Sequence, residues 1–309
     1  MKIKHVISTK QFTDRKELEA IFALADHIHE SDDKGMPPHS LRGKILACLF
    51  YEPSTRTRFS FEAAMQKLGG GIITAENAAV HSSAVKGETL EDTIKIVSGY
   101  ADAIVLRHFE EGSAKRAATV SPIPLISAGD GAGEHPTQAL LDVYTMKKEL
   151  GRLDNLNIAL IGDLFYGRTI HSLFPLLALL KNIKVFLISP EELRVPQKYR
   201  DYLKEIKIPY KELTGFDSVL QDADVLYVTR IQKERFKNPA DYEKMKDSFV
   251  INNKVLKKVK KGAIILHPLP RVNEIAPEVD HDVRAAYFRQ AKNGLYLRMA
   301  LLQMLVLGK

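Results

Sequence analysis

The chain carries one cysteine, Cys48, in 309 residues. An internal disulfide is therefore excluded, and with it the disulfide-stapled scaffolds of small secreted proteins. Cys48 lies inside the apolar run "KILACLF", which argues for a core thiol rather than a nucleophile. Nowhere do about 18 apolar residues follow one another, so no membrane span is expected. The opening "MKIKHVISTK" has neither an apolar core nor a small-residue cleavage site. A cytoplasmic protein without a secretory signal is the expectation. Repeats, low-complexity segments, G-x-S-x-G and the ligand spacing of a metal site are all missing. A G-x-G-x-x-G fingerprint is missing too: "GDLFYG" stands after the run "NIALI", which counts against a dinucleotide site. No cofactor and no metal are expected.

Acidic residues are in deficit, 38 against 45 lysines and arginines, for a net charge of +7. A basic balance suits nucleic acid or an anionic small molecule. The densest basic run, "NNKVLKKVKKG", has no interleaved aromatics to stack on bases and reads as a solvated face. Nucleic-acid binding is not expected.

At 45% hydrophobic and 27% charged residues, the chain is an ordinary globular protein long enough for two domains. Eight short apolar runs, "KILACLF", "GIIT", "AIVLR", "IPLIS", "NIALIG", "KVFLIS", "VLYVT" and "AIILHPL", alternate with amphipathic stretches such as "TDRKELEAIFALADHI". That alternation predicts α/β architecture with parallel sheets flanked by helices. "HPTQALLDVYTMKKEL" reads as one helix opening at Pro136, followed by the turn "GRLDN" and a new α/β series. The C-terminal stretch is apolar at helical spacing despite Gly294 and has to dock on something.

Polar residues concentrate where strands hand over to helices. "FYEPSTRTRFSFE" places Ser54, Thr55, Arg56, Thr57 and Arg58 between a strand and a helix. A cap needs one hydroxyl; three hydroxyls and two guanidiniums suit an anion held at a helix start. "AGDGAGEHPTQALLD" sets His135 at a helix start with Gln138 one turn on; locally, a structural and a functional histidine remain equal readings. Arg107, ending "AIVLR", reads on its own as a surface ion pair. In the second half, Arg168 in "GDLFYGRT" and Arg230 in "YVTRIQKERF", with Gln232, each follow a strand. Two such arginines suit a ligand with two carboxylates. "LHPLPRVNEI" adds a proline-constrained loop with fixed backbone acceptors, and "HSSAVKGETLED" reads as a solvated loop. A phosphate site and a dicarboxylate site, without nucleophile or metal, suggest direct transfer between two bound substrates.

As an ordered set, "FYEPSTRTRFSFE", "VLRH", "HPTQALLD", "GDLFYGRT", "TRIQKER" and "LHPLPRVNEI" resemble the transcarbamoylases, and within them the aspartate-accepting branch, from about residue 45 to the C-terminus. The ornithine branch carries an S-M-G loop and H-C-L-P, and this chain has neither. The resemblance implies transfer of the carbamoyl group from carbamoyl phosphate to the α-amino group of L-aspartate, an early step of pyrimidine biosynthesis. It implies two domains joined by interdomain helices: residues 1–134, completed by a helix over 286–309, for carbamoyl phosphate; 135–150 as the connecting helix; and 151–285 for aspartate. It further implies that Ser54, Thr55, Arg56 and Thr57 hold the phosphate, with Arg107 bridging to the carbonyl. Thr57, Arg107 and His135 would stabilise the oxyanion, while Gln138 and the carbonyls of Pro268 and Leu269 hold the carbamoyl amide. Arg168, Arg230 and Gln232 would bind the aspartate carboxylates. Ser82 and Lys86, read locally as solvated, would reach in from a neighbouring subunit of a homotrimer. Glu52 and Arg235 would organise the arginines. Domain closure would complete the site. Whether a regulatory chain binds such a trimer stays open in the sequence.

Overall fold

The computed structural model describes residues 3–78, 87–231, 238–245, 247 and 249–308. The chain divides into two compact units, one of residues 1–141 and 292–309, the other of 142–291. Among the described residues no helix is long and apolar enough to cross a membrane.

The first unit contains α1 (Arg15–Asp33), β1 (Ile45–Phe50), α2 (Thr55–Lys67), β2 (Gly71–Glu76), α3 (Leu90–Val97), β3 (Ala103–His108), α4 (Ser113–Val120) and β4 (Leu125–Asp130). Helix α1 starts where the Asp14 side chain accepts from Lys16 N at 2.9 Å, satisfying one of the orphan donors of a helix start. It buries Leu18, Ile21, Phe22, Ala25 and Ile28, the stripe of a helix with one covered face. The four strands pair in parallel in the order β2-β1-β3-β4. Cys48 is fully buried in β1, and burial pushes its thiol up to about 12, so it is an inert core residue. Strand β2 departs from the expected two-sided cover: four of its six residues are exposed, Ile73 among them.

Helix α5 (Pro136–Leu150) leads into the second unit, which holds β5 (Asn157–Ile161), α6 (Arg168–Leu177), β6 (Lys184–Ile188), α7 (Gln197–Glu205), β7 (Tyr210–Leu213), β8 (Val225–Val228), α8 (Pro239–Met245), α9 (Asn253–Leu256) and β9 (Ile264–Leu266). Helix α10 (Tyr287–Leu307) closes the chain and runs straight through Gly294. A Cβ at Gly294 would meet Leu141 at 2.9 Å, so the helix accepts glycine's entropic cost for a close approach. The five strands are again all parallel, in the order β7-β6-β5-β8-β9. The apolar runs mark every strand except β7, whose "YKEL" lies at the sheet edge and is only partly buried.

Both sheets reverse direction once. From β1 the chain adds β2 on one side and then β3 on the other; from β5 it adds β6 and β7 on one side and β8 on the other. In open parallel sheets, ligands bind in the crevice beyond the carboxyl ends of strands at such reversals. A carboxylate pins the opposite end of each central pair. Asp102, just before β3, accepts from Ile45 N at 2.8 Å and Lys44 Nζ at 2.9 Å. Asp224, just before β8, accepts from Asn157 N at 2.9 Å and Lys260 Nζ at 2.6 Å.

Gly162, directly after β5, has φ +114°, and a Cβ there would lie 2.3 Å from the Thr229 carbonyl oxygen. Gly162→Ala forces both a disfavoured backbone angle and a movement of the β8 exit. We expect it to lower the stability of the second unit by on the order of 3 kcal/mol, seen as an earlier urea midpoint. An unchanged midpoint contradicts this reading of the β5–β8 crossing.

Candidate functional site

The sequence-predicted residues of the first unit gather along the carboxyl edge of one sheet. Beyond β1 the pairing continues for one more bond, Tyr51 N donating to Arg107 O at 2.8 Å, before the chain turns through Glu52 and Pro53 into α2. Ser54 occupies the N-cap with φ −161° and ψ 76°, yet its side chain makes no capping bond. Among the described residues, the hydroxyls of Ser54, Thr55 and Thr57 and the guanidinium of Arg56 have no hydrogen-bond or ionic partner. The simple capping explanation for these hydroxyls therefore fails. The first turn of α2 holds no acidic residue, leaving the positive end of the helix dipole uncompensated. The two arginines differ. Arg58 turns inward to Glu62 at 3.2 Å and Glu76 at 2.9 Å, tying α2 to β2; Arg56 is exposed.

Arg107 is the penultimate residue of β3, on the other side of the reversal. It is 8% exposed, so the surface arginine read from its local sequence is corrected to a buried one whose partner, Glu52, stays partly exposed. Its guanidinium pairs with Glu52 at 3.0 Å and donates to Ala128 O at 3.1 Å. Glu52 thus aims a charge that the β3 strand delivers. His135, buried, heads α5, and its carbonyl accepts from Gln138 N at 3.0 Å and Ala139 N at 3.2 Å. The preceding loop is fixed from both sides. Gly131 has φ +53°, donates to His108 O at 2.8 Å, and has no room for a Cβ against Phe109 O. The Glu134 carboxylate accepts from Ser8 Oγ at 2.7 Å and from Thr9 N at 2.8 Å. Asp130 accepts from Gly112 N at 3.0 Å and Ser113 Oγ at 2.5 Å at the start of α4. Ser54, Thr55, Arg56 and Thr57 thereby follow β1, Arg107 lies at the carboxyl end of β3, and His135 and Gln138 follow β4 of the same sheet.

In the second unit, Arg168 is the first residue of α6 and follows β5, while Arg230 follows the adjacent β8. Fully buried Asp163 shapes the Arg168 turn by accepting from Phe165 N at 3.1 Å and Tyr166 N at 2.9 Å. His171 Nε2 lies 2.9 Å from Leu164 O, and its ring stacks on Tyr199 at 3.9 Å. Thr229 N donates to Ile161 O at 2.8 Å and carries the β5–β8 pairing up to Arg230. After β9, Leu269 N donates to His267 Nδ1 at 2.8 Å, which places the imidazole proton on Nε2, 2.8 Å from Glu274 Oε1. Burial lowers the His267 pKa, in keeping with that neutral tautomer. Leu269 has φ +49° and precedes a cis peptide to Pro270. The His267–Glu274 pair therefore sets the direction of the Pro268 and Leu269 carbonyls. Ser82, Lys86, Gln232 and Arg235 lie outside the described residues.

The reading from sequence missed Asp130, Glu134, Asp163, His171, His267 and Glu274, all of which hold backbone rather than face a ligand. Their signal was adjacency: each lies within a few residues of a predicted site residue.

Two family models match the chain: the aspartate/ornithine carbamoyltransferase carbamoyl-P binding domain over residues 4–148, and the Asp/Orn binding domain of the same family over residues 154–305. The chain is 52% identical over 307 residues to the aspartate carbamoyltransferase catalytic subunit of Clostridium acetobutylicum, covering 99% of each. It is 51% identical over 304 residues to the chloroplastic aspartate carbamoyltransferase 2 of Pisum sativum, covering 98% of this chain and 79% of the relative. The solved catalytic subunit of M. jannaschii aspartate transcarbamoylase superposes with a TM-score of 0.93 at 48% identity, covering 99% of each chain.

Burial brings the His171 pKa down to about 4 from 6.5. The unfolded chain therefore takes up a proton between those values that the folded chain refuses. Stability from this residue is fully present above pH 6.5 and is lost as pH falls towards 4, by up to about 3 kcal/mol. In His171→Gln, the fall in unfolding midpoint between pH 6.5 and 4 should be shallower than in the parent; an equal slope contradicts the assignment. With two reversal-point sites, a hydroxyl-rich helix start, paired arginines and full-length similarity at about half identity, the chain belongs to the aspartate/ornithine carbamoyltransferase family.

Proposed function

We propose that the protein transfers the carbamoyl group of carbamoyl phosphate to the α-amino group of L-aspartate, releasing N-carbamoyl-L-aspartate and phosphate in pyrimidine biosynthesis. The observation that carries the choice of acceptor is the pair Arg168 and Arg230, set on the exits of adjacent strands. An aspartate offers two carboxylates to two guanidiniums; a cationic acceptor such as ornithine meets like charge there.

Ser54, Thr55, Arg56 and Thr57 hold the phosphate at the start of α2. Arg107, oriented by Glu52, bridges phosphate and carbonyl oxygen, and Thr57, Arg107 and His135 stabilise the oxyanion as it forms. Gln138 and the carbonyls of Pro268 and Leu269 hold the carbamoyl amide. Arg168, Arg230 and Gln232 bind the aspartate. The amine lone pair attacks the carbonyl carbon, the tetrahedral intermediate collapses, and the bond from that carbon to the bridging oxygen breaks, leaving the oxygen on phosphate. The leaving phosphate takes the proton the amine gives up, so no protein general base is required. Residues 1–134 with the C-terminal helix serve carbamoyl phosphate, and 151–285 serve aspartate. We place the enzyme in the cytoplasm, which suits its single buried thiol. It works as a homotrimer in which Ser82 and Lys86 of one subunit complete a neighbour's site, a reading supported by their four-residue spacing in the motif set and by the family.

Steady-state transfer with L-aspartate and L-ornithine as parallel acceptors tests the reading, with turnover expected for aspartate alone. Arg56→Ala should lower kcat/KM on the order of 10³-fold, whereas Arg58→Ala should mainly lower the melting temperature. Turnover with ornithine, or equal losses from both arginines, overturns the respective assignment. Mixing Arg56→Ala and Lys86→Ala subunits tests the shared site. Each homotrimer is expected to be dead and the mixture partly active; a dead mixture contradicts sharing.

A further inference from the structure

Asp142 is fully buried in α5 and is not among the residues assigned above to either substrate. A carboxylate out of water persists as a charge only where donors converge on it. Here the Tyr227 hydroxyl donates to Oδ2 at 2.8 Å and Gln290 Nε2 donates to Oδ1 at 2.6 Å. Each donor is itself tied to a segment of the aspartate half-site. Tyr227 lies in β8, three residues before Arg230, and Thr169, the neighbour of Arg168, lies beside its phenol. Gln290, in α10, uses its carbonyl oxygen to accept from His267 N at 2.8 Å, one residue before Pro268. Both donors are buried, Tyr227 completely and Gln290 to 1% exposure.

We infer that Asp142 is a positioning residue for the aspartate half-site, holding the Arg168 turn, the Arg230 exit and the Pro268–Leu269 loop through one carboxylate. The three segments follow three different strands, β5, β8 and β9, and share no direct covalent link shorter than a whole βα unit. Strand pairing fixes their spacing at the sheet but not beyond it. The Tyr227–Asp142–Gln290–His267 chain, with Thr169 beside the phenol, supplies the missing restraint on their far side. Low local dielectric strengthens each bond in such a network, and removing one member leaves the next buried group short of a partner.

The inference rests on the aspartate reading above. Asp142→Asn keeps the shape but replaces one acceptor oxygen with a donor, and Tyr227→Phe removes a single hydroxyl. Aspartate KM is expected to rise roughly tenfold in Asp142→Asn, equivalent to about 1.4 kcal/mol, and about threefold in Tyr227→Phe. Inhibition by inorganic phosphate, which reads the α2 site alone, is expected to stay within about twofold in both. Lost folding alone would lower active enzyme without moving either constant. An aspartate KM unchanged in both variants, or phosphate inhibition weakened in parallel with aspartate KM, overturns the inference. A parent enzyme that does not use aspartate instead overturns the functional reading on which it rests.

Discussion

The side-by-side pairing of β1 with β3, and of β5 with β8, is the constraint from which the site follows. In each sheet the chain leaves the first strand of the pair towards one side and returns on the other. The connections therefore part above the pair, the arrangement at whose strand ends open parallel sheets bind ligands. Polar residues placed there avoid the desolvation that the strands themselves impose. The pairing is reinforced at its amino end by Asp102 and Asp224, each bridging the start of one strand to the turn that feeds its neighbour. At its carboxyl end, one further backbone bond per sheet, from Tyr51 and from Thr229, extends the register up to Arg107 and Arg230. A slip of one residue in either pair would turn these arginines to the opposite face.

The two ends differ in how they present charge. At the first, a helix start carries backbone donors, three unspent hydroxyls and Arg56, an array matched to the tetrahedral oxygens of a phosphate. At the second, two guanidiniums stand on separate strand exits, a geometry matched to separate carboxylates. The site-building residues split accordingly into those that face a ligand and those that hold backbone. Glu134, Asp163 and Glu274 are carboxylates in the second role, each accepting backbone N–H groups in a loop.

Much of this was legible in the sequence. Eight of the nine strands among the described residues show as apolar runs, the central ones because they are buried on both faces; β7 escaped because "YKEL", at a sheet edge and only partly buried, has no such run. The hydroxyl and guanidinium cluster at Ser54–Arg58 stood out because it exceeds what capping requires. Two things did not show. Arg107 reads locally as a surface residue, since nothing in its neighbours reveals that the strand end is buried and that Glu52, distant in the chain, pairs with it. Arg56 and Arg58 look equivalent until Glu62 and Glu76 claim one of them. Ion-pair partners are a property of the tertiary structure, and linear composition carries no record of them.

A crystal structure of the protein grown with phosphate and L-aspartate tests the central claim most directly. Phosphate is predicted at the start of α2, in contact with Ser54, Thr55, Arg56 and Thr57, and the aspartate carboxylates on Arg168 and Arg230. Phosphate bound away from the β1–β3 reversal, or aspartate bound without either arginine, would contradict the account.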